Sequence, residues 1–160
     1  MRLFDQLRLA PARLADTLDL FQPSSLRWRP SSWEESPAEH FSALEHICHL
    51  RDIEVDGYYV RFQRLLREEQ PELPSLDSYQ LAQERKYQAD SAQNALEAFA
   101  YARMRTVALL GDHWPQRTRR GSFAGFGAVD VEGLAHLLVS HDMQHLAGLH
   151  WLHARYRTNA

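Results

Sequence analysis

Apolar residues recur along this chain at steps of three and four almost throughout, and no run of four or more residues alternates persistently enough to predict a strand. The pattern predicts an all-α protein: a four-helix bundle with an extra short helix and a long loop before the last helix. A first helix covers about Leu3 to Leu20, adjusted at Pro11, with Leu14, Leu18 and Phe21 along one side. The stretch FQPSSLRWRPSSWEES follows. Its prolines and serines suit a surface connection, and Trp28 and Trp33 are expected to pin it to the bundle.

The second helix is predicted from Pro37 to about Glu69. Ser36 reads as its cap, Pro37 as its first residue and Glu39 as the acidic partner of a capping box. Gly57 falls inside this helix at a cost of about 1 kcal/mol relative to alanine. PELPSLD, Pro71 to Asp77, breaks the chain; a short helix near Tyr79 to Tyr87 follows, and then a longer one from about Ser91 to Leu110. That longer helix carries Leu96, Phe99, Arg103, Val107 and Leu110 on one side. The segment Gly111 to Val129, GDHWPQRTRRGSFAGFGAV, has no helical period and is predicted as a loop that walls a substrate pocket. Asp130 then caps a last helix running through about Tyr156.

A length of 160 residues suits one domain, 1–160, with a single site. The formal charge of -3 gives no reason to expect nucleic acid. No apolar run reaches the roughly 18 residues of a membrane span. The opening MRLFDQLRLA lacks the apolar stretch of a signal peptide, so a cytoplasmic location is expected. Cys48, the single cysteine, cannot form an internal disulfide.

The chemistry concentrates in HDMQHLAGLH, His141 to His150. Leu134, Leu138, Leu149 and Leu152 define the buried stripe of the last helix, and His141 and His145 continue it one turn apart, whereas His136 and His150 fall on the solvated side. Two neutral imidazoles among leucines hold ring nitrogens that need partners, and a metal ion satisfies several at once. The alternative is a pair of core histidines bonded to neighbouring groups. A third ligand must come from another helix; the second helix offers His49, in HLRDIE, with His46 in reserve. Asp52 and Asp56 lie at helical spacing beyond His49, placed to support its ring or to act as bases. Arg103 is read either as an anchor for an anionic substrate or as an interhelical salt bridge. Cys48 is a bystander, because neighbours on a helix diverge by about 100°. Arg117, Arg119 and Arg120 belong to a solvated loop, and Tyr58, Tyr59 and Tyr101 to bundle packing.

HLRDIE in the first half, ERKY, FAYAR and a W-x-x-R motif before a glycine-containing loop, and HDMQHL in the last helix, in that order, resemble the DinB-like (YfiT-like) superfamily of metal-dependent enzymes. The resemblance implies a four-helix bundle holding one divalent ion on His49, His141 and His145, with Asp142 orienting a histidine or a neighbouring helix. Zinc and nickel rank first, ahead of iron and manganese. It also implies a metal-dependent enzyme, for which the sequence itself offers Asp52 and Arg103 as candidate catalytic groups. The leading expectation is a transferase moving a low-molecular-weight thiol onto a small electrophile. Hydrolysis by metal-activated water and a noncatalytic, metal-stabilised interaction module are the alternatives. A small-molecule substrate and a homodimer are expected; nucleic acid and membrane are not.

Overall fold

Leu7, Ala10 and Leu14 fall on one face of helix α1, Leu3–Leu18, and that face is buried. A computed structural model describes residues 2–159. After an irregular connection come α2, Ala43–Asp52, a single π-helical turn, Ile53–Tyr58, and α3, Tyr59–Arg67, which together form one continuous rod. Helix α4 is short, Ser78–Glu84; α5 spans Ala92–His113 and α6 spans Val131–Asn159. The bundle consists of α1, the α2–π–α3 rod, α5 and α6, with α1 and α2 each packed against both α5 and α6. Trp28 meets Tyr156 edge-on and Trp33 stacks on Trp151, so the connection is pinned to α6 as the aromatic residues suggested.

The second rod begins later than its sequence predicts. Ser42, not Ser36, caps it: the Ser42 hydroxyl accepts from the Glu45 backbone N–H, and the Glu45 carboxylate accepts from the Ser42 N–H at 2.8 Å. Ser36 instead donates from its hydroxyl to the Ala38 carbonyl, which leaves residues 36–42 outside the helix. Both serines precede a glutamate by three residues. The later one opens onto the apolar run Leu44, Ile47, Leu50, whose burial rewards helix formation.

The predicted loop before α6 is also different. Helix α5 continues to His113, and the next residues fold into an antiparallel hairpin, β2, Arg120–Phe123, with β3, Gly127–Asp130. The two-residue strand β1, Glu72–Leu73, lies parallel to β2 and completes a small sheet. Gly125 and Gly127 take φ of 81° and 100°, which lets so short a connection reverse the chain. The hairpin strands escape sequence detection because they bury little: of the residues in β2 and β3 only Val129 is buried.

Two apolar clusters divide the bundle along its length. One gathers Leu14, Phe41, Leu44, Ile47, Phe99, Leu149 and Leu152; the other gathers Leu7, Phe62, Leu65, Leu110, Leu134 and Leu138. Between them, on three of the rods at the same height along the sequence pattern, stand polar residues: His49, Arg103, and His141 to His145.

Ser42→Ala removes a buried cap and is expected to cost about 1 kcal/mol, lowering the melting temperature by about 2–4 °C for a chain of this size. Ser36→Ala should change it by less than the error of the scan. Equal effects in calorimetry would contradict the later start of the rod.

Candidate metal centre

His49 lies in the last turn of α2, and His141 and His145 lie one turn apart on α6 facing it. Their Nε2 atoms converge: His49 to His141 is 3.2 Å and His141 to His145 is 3.1 Å, with one ligand atom from each residue inside a common 4.8 Å. Metal–nitrogen bonds of about 2.0–2.1 Å in tetrahedral or octahedral arrangement place adjacent nitrogens about 2.8–3.4 Å apart. The histidines are therefore positioned for one metal ion.

Burial explains why the rings are ready for a cation. It is the first cause lowering His49 and His141 to about 3, and it holds His145 well below the ordinary histidine range. Neutral rings keep a lone pair for an ion. None of the three is bonded to a backbone carbonyl, and Nδ1 of His49 and of His141 has no hydrogen-bond partner among the described residues. The rings contact one another and His46, not backbone carbonyls. His46 is the exception that supports the set: its Nδ1 lies 2.8 Å from Nδ1 of His145, so it holds the outer nitrogen of a ligand instead of facing the site. A proton on Nδ1 of His145, shared with His46, leaves Nε2 with its lone pair toward the centre.

Glu39 was missed from sequence because it read as a capping residue. Freed from that role, it sits in the extended segment before α2, with Oε2 3.6 Å from Nε2 of His145 and Oε1 4.0 Å from Nε2 of His49. Oε2 is buried and has no hydrogen-bond partner among the described residues. Gly148 permits the placement, since a Cβ there would come within 2.8 Å of the Ala38 Cβ and push this segment off α6. A glutamate three residues past one cap candidate and three before the other, on a stretch whose His40 N–H donates to the Tyr79 hydroxyl, carries no sequence signal of its own.

The other candidates lie elsewhere. Asp52 accepts from Arg51 at 2.7 Å and pairs with Arg85 at 3.0 Å; no hydrogen bond joins it to His49. Asp56 is exposed and binds Arg85, because the π turn adds a residue to the rod and advances the face beyond it. Arg103 is a buried interhelical salt bridge, the bland alternative weighed for it. It donates to both oxygens of Asp142 at 2.7 and 2.9 Å and to Glu54 at 2.8 Å. Asp142 thus orients a neighbouring helix. Cys48 is buried, with its thiol pushed up to about 12 by burial first of all, and is inert as a nucleophile. His136 and His150 are exposed.

A cavity of about 150 Å³ opens beside the cluster, lined by Glu39, His49, Tyr58, Arg61, Phe123 and His141 among others. The hairpin therefore reaches the site through Phe123.

A family model described as the DinB superfamily matches residues 6–149. The fold is similar to a solved structure described as YfiT from Bacillus subtilis, a probable metal-dependent hydrolase with an unusual four-helix bundle topology. The TM-score is 0.82 at 20% sequence identity, over 96% of this chain and 85% of that one. No curated sequence matches closely enough to count as a relative. No described helix is long and apolar enough to cross a membrane.

His46→Ala should weaken zinc binding by about 10–100-fold while leaving its stoichiometry intact, and the double variant His141→Ala, His145→Ala should abolish it; competition titration against a chromogenic chelator measures both. Without metal, acid should destabilise the fold. The unfolded chain takes up protons near the ordinary histidine value of 6.5, which the buried rings of His46, His49 and His141 refuse until about 3. Stability is then full above pH 6.5 and falls as the pH drops from there toward 3. A urea midpoint that stays constant across that window would contradict the burial of neutral rings.

Proposed function

Because the chain belongs to the DinB superfamily, as the match over residues 6–149 shows, we propose that it is a metal-dependent hydrolase of small molecules whose ion is held by His49, His141 and His145. Zinc or nickel suits an all-imidazole set. A divalent cation there supplies Lewis acidity, polarising a substrate carbonyl and easing the ionisation of a nearby water.

The observation that carries the reading is Glu39. Its Oε2 faces the ligand nitrogens and is bonded to nothing among the described residues, so it has a lone pair free to hold the proton a water nucleophile must lose. The same oxygen can return that proton to the leaving group. Tyr58 lines the cavity with its ring 5.7 Å from that of His141. Burial, the first cause, pushes its phenol up to about 12, so it stays protonated and able to donate to negative charge growing on a substrate oxygen. Phe123 and Ile53 supply the apolar wall that strengthens both contacts by excluding water. Asp52 and Arg103 act at a distance, through the ion pairs that hold the rods.

Thiol transfer would use the same ion but has no need of Glu39, since a cation alone stabilises a thiolate. The two readings separate in one assay: zinc-loaded protein against a panel of small esters and amides, with and without thiol. Turnover without thiol is expected, and Glu39→Gln should lower it by roughly 10²–10⁴-fold with zinc content unchanged. Turnover that appears only when thiol is added would replace hydrolysis with transfer.

A further inference from the structure

Arg61 stands out as a buried cation that the proposed chemistry does not use. It is 5% exposed, and no carboxylate among the described residues pairs with it. Its Nε and Nη2 donate to the carbonyl of Pro74 at 3.2 and 2.9 Å, and its guanidinium lies over the rings of Phe123 and Tyr58 at 4.5 and 5.4 Å. Nη1 makes no hydrogen bond among the described residues. A carbonyl dipole and two ring faces orient a guanidinium without neutralising it. Compare Arg103, more deeply buried, which has two carboxylates around it.

The surroundings of Arg61 hold this charge in one place. A Cβ on Gly57 would lie 2.9 Å from Nη1, so the bare α-carbon in the π turn is what leaves room for the guanidinium. Burial depresses the arginine pKa, as it must for a cation without a counter-charge. Arg61 lines the same small cavity as His49, His141 and Glu39. Three neutral imidazoles, one carboxylate, one arginine and a divalent ion leave that cavity with a positive excess that only an incoming molecule can balance.

Resting on the hydrolase reading, we propose that Arg61 receives the carboxylate of the substrate, so that the enzyme acts on small molecules bearing a carboxylate beside the scissile group. A planar carboxylate fits the free edge of a guanidinium whose faces are already covered by aromatic rings. With about 150 Å³ available, the charged end and the reacting group must lie within a few bonds of each other, and any larger remainder extends outward.

The test uses propionate as probe and propionamide as its neutral counterpart, titrated by calorimetry into the zinc-loaded full chain. Wild type should bind propionate in preference to the amide. Arg61→Met should weaken propionate by at least about tenfold, the loss of one charge-assisted contact, without moving propionamide or zinc uptake. Arg61→Lys should recover part of the preference. Gly57→Ala, which keeps the charge but crowds Nη1, should also weaken propionate. If Arg61 only tethered the chain at Pro74, Arg61→Met would lower thermal stability and leave the acid-over-amide preference intact, and that result overturns the proposal. So does a wild type that binds both probes equally. Failure of wild type to take up zinc would break the hydrolase reading first, and is read separately by the chelator competition.

Discussion

One buried arginine sets the geometry on which everything else depends. Arg103 sits on α5 and reaches each of the other three rods: the Leu7 carbonyl on α1 at 3.3 Å, Glu54 in the π turn, and Asp142 on α6. Asp142 is the neighbour of His141, and Glu54 follows His49 by little more than a turn. The same clamp that satisfies a buried cation therefore fixes the sliding and rotation of the two rods that carry the ligands. Apolar packing above and below this layer would tolerate a shift of part of a turn, since leucines are interchangeable in shape. A bidentate arginine–carboxylate pair is not. Burying such charges gains little stability in itself; what they contribute is register.

The π turn does the complementary task on the second rod. A continuous α-helix through Ile53–Tyr58 would keep Asp52 and Asp56 on the face of His49, which the sequence spacing suggests. The additional residue in that turn sends Asp56 out to Arg85 and brings Glu54 in to Arg103. It also positions Gly57 under Arg61 and Tyr58 beside His141. A single local departure from helical period thus exchanges one acidic neighbour, Asp56, for a salt-bridge partner, a phenol and an arginine beside the cavity.

The difference in legibility between these features has a physical basis. The bundle and the histidines of α6 were readable because burial imposes a period of about 3.6 residues, and imidazoles on a buried stripe break the chemistry of that stripe without breaking its spacing. His49 was readable for the same reason. Glu39 and Arg61 were not: the first lies on a segment whose capping signals fit two registers, and the second sits beyond a π turn that periodicity cannot anticipate. The hairpin escaped because its strands are short and mostly exposed, so they leave no alternating pattern. Trp28, Trp33 and Asp142 fell between these cases, since their partners lie far along the chain while their types already implied anchoring.

The layer as a whole separates structural from reactive charge. Arg103 is surrounded by acceptors, with its pKa held above the ordinary arginine value chiefly against its own desolvation by Glu54 and Asp142. It belongs to the frame. A few ångströms along the same layer the balance reverses: histidines lose their protons to burial, Glu39 keeps an oxygen with no donor, and Arg61 keeps a nitrogen with no acceptor. Groups left this way cost stability unless something else completes them. Glu39, His49 and His141, each with a buried atom that has no hydrogen-bond partner among the described residues, all line one cavity. The ion pairs of Arg103 hold the rods, and the unpartnered atoms that line the cavity are the ones on which the proposed cation and substrate would draw.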